Sequence, residues 1–423
     1  MQLIVKPGVL AGEITAPPSK SYTHRAFIMG ALAKGKTTVQ SPLYGDDTYS
    51  TLSAISALGA DVDTGKTSCT VSGRDMHTPD DIINVNNSGT TLRLMAAVAS
   101  LLDGMAVFTG DKSIRSRPMQ PLLSALNELG AECVSIKNNG CAPILTRGQI
   151  KGGMTFISGD ISSQFISALL IACPFARKDT IIMLASPLKS RPYVDITINV
   201  LKSFKISVKE EPNSFYVKGS QSCKGIRYKI PGDFSSAAFP LVGAAITGGK
   251  TTVKNIDYGG PQGDRVIIDI LQKFGAKTVA EKDSVTVSGG DLSGISIDCS
   301  DIPDLFPILS VLGACAKGKT TLKNAKHVRF KESDRISTMY NALKKMGTDV
   351  KEMEDGLIIK GTGKIKSCTI DSLGDHRILM ACAIAGLRSD KGINITEPEC
   401  YRVSYPAFLD DMKRLGMKFE IKK

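Results

Sequence analysis

Tryptophan is absent from this chain of 423 residues, His occurs only 4 times and aromatic residues make up 6%. Nucleic-acid readers rely on stacking platforms and clustered basic stripes. No block of five like charges occurs here, so nucleic acid is not expected as a partner. The 10 cysteines are scattered from Cys69 to Cys400 with no Cys-x-x-Cys pair. That spacing argues against a zinc site or disulfide framework and predicts reduced packing residues. No apolar run approaches the roughly 18 residues of a membrane span. The start, Met1-Gln2-Leu3-Ile4-Val5-Lys6-Pro7-Gly8, lacks the basic-then-apolar layout of a signal peptide. A cytoplasmic address with no membrane partner is the expectation.

What is present is ordinary globular composition: 42% hydrophobic and 22% charged residues, with 40 Gly and 19 Pro. A length of this order predicts two or three domains. The 53 Lys+Arg against 41 Asp+Glu leave a net charge of +12, which favours anionic partners. With stacking groups scarce, a small anionic ligand fits better than a polymer.

Internal similarity organises the chain. Phe27 to Val39 contains Gly-Ala-Leu-Ala-Lys-Gly-Lys-Thr-Thr-Val, Phe239 to Val253 contains Gly-Ala-Ala-Ile-Thr-Gly-Gly-Lys-Thr-Thr-Val, and Phe306 to Leu322 contains Gly-Ala-Cys-Ala-Lys-Gly-Lys-Thr-Thr-Leu. Looser copies follow Ser88, Ser162 and Asp375, so starts at Ser21, Ser88, Ser162, Ser235, Asp304 and Asp375 give six units of about 70 residues. Each reads strand, helix, strand, helix, strand, strand. The first helix of a unit is apolar all round, as in Leu92 to Leu102 and Ile378 to Leu387, and must be buried on every side. The second is amphipathic and often stops at Gly, with Met119, Leu122, Leu123, Leu126 and Leu129 before Gly130 and Ile267, Ile270, Leu271 and Phe274 before Gly275. Six buried helices suit two cores of three rather than one. The predicted fold is α/β, with two similar domains in which sheets surround buried helices.

Ser and Asp at the starts of the buried helices are good N-caps, and several helix N-termini facing one ligand would form an anion site. Cations stand at or before the second helices in Ser113-Ile114-Arg115-Ser116-Arg117-Pro118, Ser190-Arg191-Pro192-Tyr193 and Arg329 to Arg335. Helix electrostatics disfavour that placement, and arginine suits bidentate grip on carboxylate or phosphate.

These positions carry a pattern: Pro18-Ser19-Lys20-Ser21-Tyr22-Thr23-His24-Arg25, Asn87-Ser88-Gly89-Thr90-Thr91-Leu92-Arg93, Ser162-Ser163-Gln164-Phe165, Lys331-Glu332-Ser333-Asp334-Arg335 and Asp375-His376-Arg377. The chain resembles the 5-enolpyruvylshikimate-3-phosphate synthase family from end to end. The resemblance implies an inside-out α/β barrel in each of two domains of three βαβαββ units. Their boundaries are expected at 20–228 for one and at 1–19 with 229–423 for the other. It implies enolpyruvyl transfer from phosphoenolpyruvate to shikimate-3-phosphate with no metal or organic cofactor. Carried over residue by residue, Lys20, Ser21, Arg25, Ser162, Ser163, Gln164, Ser190, Tyr193, Asp304, His327 and Lys331 are expected to hold shikimate-3-phosphate. Lys20, Gly89, Arg117, Gln164, Arg335 and Arg377 are expected to hold phosphoenolpyruvate. Lys20, Asp304 and Glu332 are the catalytic candidates, since the chemistry needs paired acids and bases. The two His beside Arg25 and Arg377 are read as orienting or structural groups.

Two positions depart from the family. Val403 stands where many members have Lys, and His327 where Asn is common. Two other readings remain open at this point. The sister enzyme that transfers enolpyruvate to a UDP-amino sugar usually carries a loop Cys and a Lys-Asn motif, whereas Gly110 to Pro118 has no Cys and the motif here is Lys20-Ser21. A protein or enzyme acting on RNA phosphate would show steeply salt-dependent RNA binding. A monomer is expected, and a target of the inhibitor glyphosate.

Overall fold

The computed structural model describes residues 1–73 and 75–422. The backbone divides into two compact units: a middle unit, Pro18–Ile230, and a terminal unit, Met1–Pro17 with Pro231–Lys423. The chain therefore passes between units at two proline-flanked points.

The helices of the middle unit are α1 (Lys20–Leu32), α2 (Asp46–Ala57), α3 (Gly89–Ala99), α4 (Gln120–Glu128), α5 (Ser163–Ala172) and α6 (Arg191–Ser203). Those of the terminal unit are α7 (Phe234–Thr247), α8 (Ile267–Phe274), α9 (Phe306–Cys315), α10 (Arg335–Lys345), α11 (His376–Gly386) and α12 (Phe408–Arg414). Every residue of α9 and α11 is buried, and so is every residue of α7 up to Ile246. In the middle unit, α3 and α5 are buried along almost their full length. A helix apolar on all sides can satisfy itself only inside other layers, and here sheets supply them. The amphipathic α4 and α8 bury one stripe each, and α8 ends where Gly275 turns to φ 105°, a conformation that favours glycine.

Among the described residues, six four-stranded sheets share one order. In one of them Ile83–Asn84 runs parallel to Met105–Thr109, which pairs antiparallel with Ile144–Arg147, which in turn pairs antiparallel with Glu132–Ser135. Each unit also closes on itself. Arg227–Lys229, late in the middle unit, runs parallel to Gly35–Gln40 and so gives the first repeat its leading strand. In the terminal unit Gly12–Thr15 leads Lys250–Lys254, and Gln2–Val5 lies between Ile393–Thr396 and Phe419–Lys422. The two-domain α/β fold with sheets around buried helices, expected from the repeats, is the one observed, and it is the inside-out arrangement that the resemblance implies.

The structure alters the expected helix starts. Ser88, Ser162 and Asp375 cap α3, α5 and α11 through their side chains. Ser21 lies within α1, Asp233 rather than Ser235 caps α7, and Leu305 rather than Asp304 occupies the N-cap of α9. Asp304 is thereby released from capping.

The recurring Gly-to-Thr spacing has a packing cause. A Cβ on Gly30 of α1 would lie 3.2 Å from Thr37 Cβ, and one on Gly313 of α9 would lie 3.0 Å from Thr320 Cβ. Both threonines are fully buried, so helix and strand approach as closely as a missing side chain allows. Gly313→Ala is predicted to destabilise the fold by about 1–3 kcal/mol through overpacking, measured as a lowered denaturation midpoint.

Candidate active site

The middle unit gathers cations and hydroxyls around the starts of α1, α3 and α5. Lys20, the first residue of α1, places Nζ 2.8 Å from Asp47 Oδ2 in the first turn of α2. One turn further along, Arg25 is 2% exposed. Its Nε donates to Thr197 Oγ1 at 2.7 Å, and its Nη groups donate to the Ser21 carbonyl at 2.9 Å, Ser167 Oγ at 3.2 Å and the Tyr193 carbonyl at 3.1 Å. All of these acceptors are neutral. Burial lowers the guanidinium to about 10, so it stays cationic at neutral pH and contributes an unbalanced positive charge. It also ties α1 to the start of α6, where Ser190 adopts φ 54°.

Ser88 caps α3 by accepting from the Thr91 N–H, and Gly89 follows as the first helical residue. A Cβ there would come within 2.6 Å of Arg117 Nη1 and 2.9 Å of Arg93 Nη1, so two guanidinium ends converge beside Gly89 and a methyl would have to push them aside. Arg117, in the turn before α4, donates to Asn87 Oδ1 at 2.9 Å and to Ser113 Oγ at 3.0 and 3.2 Å. Arg93 donates to Gln164 Oε1 at 2.6 Å, and Gln164 Nε2 donates to Thr90 Oγ1 at 2.9 Å. Gln164 thus joins α5 to α3 beside the capping Ser162 and the buried Ser163.

Arg93 was not among the candidates, although a charge inside Leu92-Arg93-Leu94-Met95 of a buried helix was a signal. His24 is fully buried, with Nδ1 2.6 Å from Thr51 Oγ1. Burial first, then the charges of Lys20 and Arg25, hold it well below 6.5. It is a neutral core group.

The terminal unit gathers carboxylates. Arg335, the first residue of α10 and 1% exposed, donates from Nη1 to Asp304 Oδ1 at 2.8 Å, from Nη2 to Glu332 Oε2 at 2.8 Å and from Nε to Asp375 Oδ2 at 2.9 Å. Its remaining N–H groups reach Asp375 Oδ1 at 3.4 Å and the Pro303 carbonyl at 3.5 Å. Arg377 of α11 donates from Nη2 to Asp304 Oδ2 at 3.1 Å. Asp375 is inaccessible and also accepts from Ser333 Oγ at 3.1 Å and the Arg377 backbone N–H at 2.9 Å. Asp304 and Glu332 keep side-chain exposures of 16% and 13%. Arg335 therefore serves here as the organiser of carboxylates, with each N–H already directed at a protein oxygen. Asp375 was missed as its anchor because the two stand 40 positions apart.

Asp304, Glu332, Arg335 and Arg377 are thus one cluster. His327 lies buried in the turn Lys326–Phe330, and Lys331 follows it. Val403 is buried in the turn Pro398–Val403, and its neighbour Arg402 is exposed.

Removing one partner of a buried ion cluster leaves the others uncompensated. Arg335→Gln is predicted to lose about 3–5 kcal/mol of stability, read as a lower denaturation midpoint.

Comparison with known proteins gives one family. The model of "EPSP synthase (3-phosphoshikimate 1-carboxyvinyltransferase)" matches residues 4–412. The chain is 47% identical over 419 residues to a 3-phosphoshikimate 1-carboxyvinyltransferase of Methanocorpusculum labreanum, covering 98% of this chain and 99% of the relative. It is 44% identical over 425 residues to the protein of the same description from Methanocaldococcus jannaschii, covering 99% of each. The solved EPSP synthase of Acinetobacter baumannii superposes over 100% of both chains with a TM-score of 0.84 at 32% identity.

Proposed function

This chain belongs to the EPSP synthase family, and from that premise we propose how its own residues divide the work. The reaction transfers the enolpyruvyl group of phosphoenolpyruvate to the 5-hydroxyl of shikimate-3-phosphate and releases phosphate, a step of aromatic amino-acid biosynthesis. The hydroxyl oxygen attacks C2 of the enolpyruvyl group while C3 gains a proton, giving a tetrahedral intermediate. Loss of phosphate and of a C3 proton then restores the double bond.

The observation that carries the assignment is the pair of partly open carboxylates, Asp304 and Glu332, held on the buried Arg335. Asp304 accepts the proton of the attacking hydroxyl. Glu332 delivers a proton to C3 and later withdraws one, as general acid and then base. Arg335 and Arg377 fix the orientation of Asp304 before substrate arrives, so little reorganisation is needed during the reaction. Lys20 supports the departing phosphate.

Shikimate-3-phosphate is assigned to Lys20, Ser21, Arg25, Ser162, Ser163, Gln164, Ser190, Tyr193, Asp304, His327 and Lys331. The buried charge of Arg25, matched only by neutral acceptors, favours a dianionic phosphate nearby. Phosphoenolpyruvate is assigned to Lys20, Gly89, Arg117, Gln164, Arg335 and Arg377, and the convergence on Gly89 adds Arg93 to them. For Arg335 to bind substrate, one of its carboxylates must yield an N–H. With Val403 buried, that position supplies no cation. A monomer in the cytoplasm, where both metabolites are soluble, completes the reading.

Phosphate release with phosphoenolpyruvate, measured in chelator-treated buffer, is predicted with shikimate-3-phosphate and not with UDP-N-acetylglucosamine. Release with the sugar nucleotide alone would contradict the acceptor. Glu332→Gln is predicted to lower kcat by roughly 10²–10⁴-fold with shikimate-3-phosphate affinity retained in calorimetry; normal turnover would remove Glu332 from the mechanism. Glyphosate is read as a competitor at the phosphoenolpyruvate position beside Gly89. Gly89→Ala, which drives a methyl into Arg117 and Arg93, is predicted to raise the glyphosate inhibition constant by about tenfold or more, equivalent to about 1.4 kcal/mol. Unchanged inhibition would contradict that placement.

A further inference from the structure

A fourth acidic residue of the terminal unit has no part in the mechanism above. Asp264 lies in the short turn Gly263–Val266 ahead of α8 and is 3% exposed. The preceding Gln262 fixes this turn against α7: its Oε1 accepts from the Phe234 N–H at 3.1 Å and its Nε2 donates to the Gly232 carbonyl at 2.8 Å. Asp264 is thereby pressed onto the start of α7, where the Ser235 hydroxyl donates to its Oδ2. Its Oδ1 is buried with no hydrogen-bond partner. An ionised carboxylate with a bare buried oxygen is costly, whereas the acid form is far less so.

The charged groups that act on Asp264 are Asp304, ahead of α9, Arg377 of α11 and Asp233, the N-cap of α7. Arg377 is shared, because it already donates to Asp304. Asp304 has a second guanidinium in Arg335 at 2.8 Å, whereas Asp264 has only the field of Arg377, so of the two carboxylates Asp264 is the one for which ionisation is costly. Burial first, and then the charge of Asp304, raise the Asp264 carboxyl to about 7.

We propose that Asp264 is a positioning residue for this reaction: held in its acid form against Ser235, it leaves Asp304 as the ionised carboxylate gripped by Arg335 and Arg377, and its ionisation draws Arg377 away from Asp304. The inference rests on the reading of Asp304 as the proton acceptor. It makes the enzyme sensitive to pH near neutrality through a group that touches no substrate.

The first test uses stability, which does not depend on the mechanism. A carboxyl whose folded value lies above its unfolded value of 3.8 stabilises the folded state below the unfolded value. That contribution is lost as pH rises through the folded value. The melting temperature of full-length Asp264→Asn relative to wild type is therefore expected to climb between about pH 5 and about pH 7 and to level off above about pH 8. A difference that stays flat over that range overturns the proposal. In Asp304→Asn the like charge is gone, so the wild-type stability inflection is expected to move to lower pH. This variant answers the question even where Asp264→Asn folds poorly, and an unmoved inflection overturns the coupling.

The second test uses kinetics. Wild type is expected to lose kcat/KM for shikimate-3-phosphate as pH rises through about 7, while Asp264→Asn keeps kcat within about threefold at about pH 6 and lacks that inflection. Superimposable profiles overturn the positioning role. Should Asp304→Asn retain full turnover while its stability inflection still shifts, the proton-acceptor reading fails and the Asp264–Asp304 coupling stands.

Discussion

Arg335 is the group that holds the carboxylates of the terminal unit together, and the proposed chemistry depends on it. Its guanidinium is buried and every N–H is directed at a protein oxygen, with three of the four acceptor residues being acidic. Such a cluster is weak evidence for stability, since desolvation offsets most of the Coulomb attraction. Its value lies in geometry. Asp304 and Glu332 come from separate segments, and one planar fork sets both while leaving each partly open to solvent. Asp375, inaccessible and capping α11, holds the fork from behind and couples its position to Arg377. With Asp264 included, four carboxyls share two guanidiniums, an imbalance in keeping with the raised Asp264 carboxyl.

The middle unit has the opposite character. Arg25 has only neutral acceptors, and Arg93 and Arg117 converge at Gly89. Lys20 is held by a close carboxylate, Asp47, at 2.8 Å. A surplus of positive charge suits substrates that bring several negative charges, while the two carboxylates proposed for proton transfer, Asp304 and Glu332, stand in the terminal unit. Three buried helices per unit make both arrangements available, because each helix start is a fixed, dry platform on which a cap, a cation or a glycine can be placed.

The repeat was legible in the sequence because its cause is local. Gly30 opposite Thr37 and Gly313 opposite Thr320 hold two of the buried helices at the same spacing from the strands that follow them. Sheet closure was not legible: Arg227–Lys229 pairs with Gly35–Gln40 across almost the whole middle unit, and a three-residue strand carries no periodic signal of its own. At the site, the motifs brought Lys20, Glu332 and Arg335 to attention, and the structure adds what they hold on to. Asp304 looked like a cap and turned out to precede one. Asp375 and Asp264 act over long sequence separations, so spacing alone gave no reason to connect them to Arg335 or to Asp304. Arg93 was readable as an anomaly, a charge in an otherwise apolar helix, yet its partner Gln164 lies 71 positions away.

In the proposed mechanism a carboxylate organised by Arg335 moves the proton at the enolpyruvyl carbon. Its most direct test is deuterium incorporation into the methylene group of the product formed in D₂O, followed by mass spectrometry beside phosphate release. Wild type is predicted to incorporate deuterium in step with release, and Glu332→Gln to lose both together. Incorporation at the wild-type rate in Glu332→Gln would assign the proton transfer to another group and remove Glu332 from the mechanism.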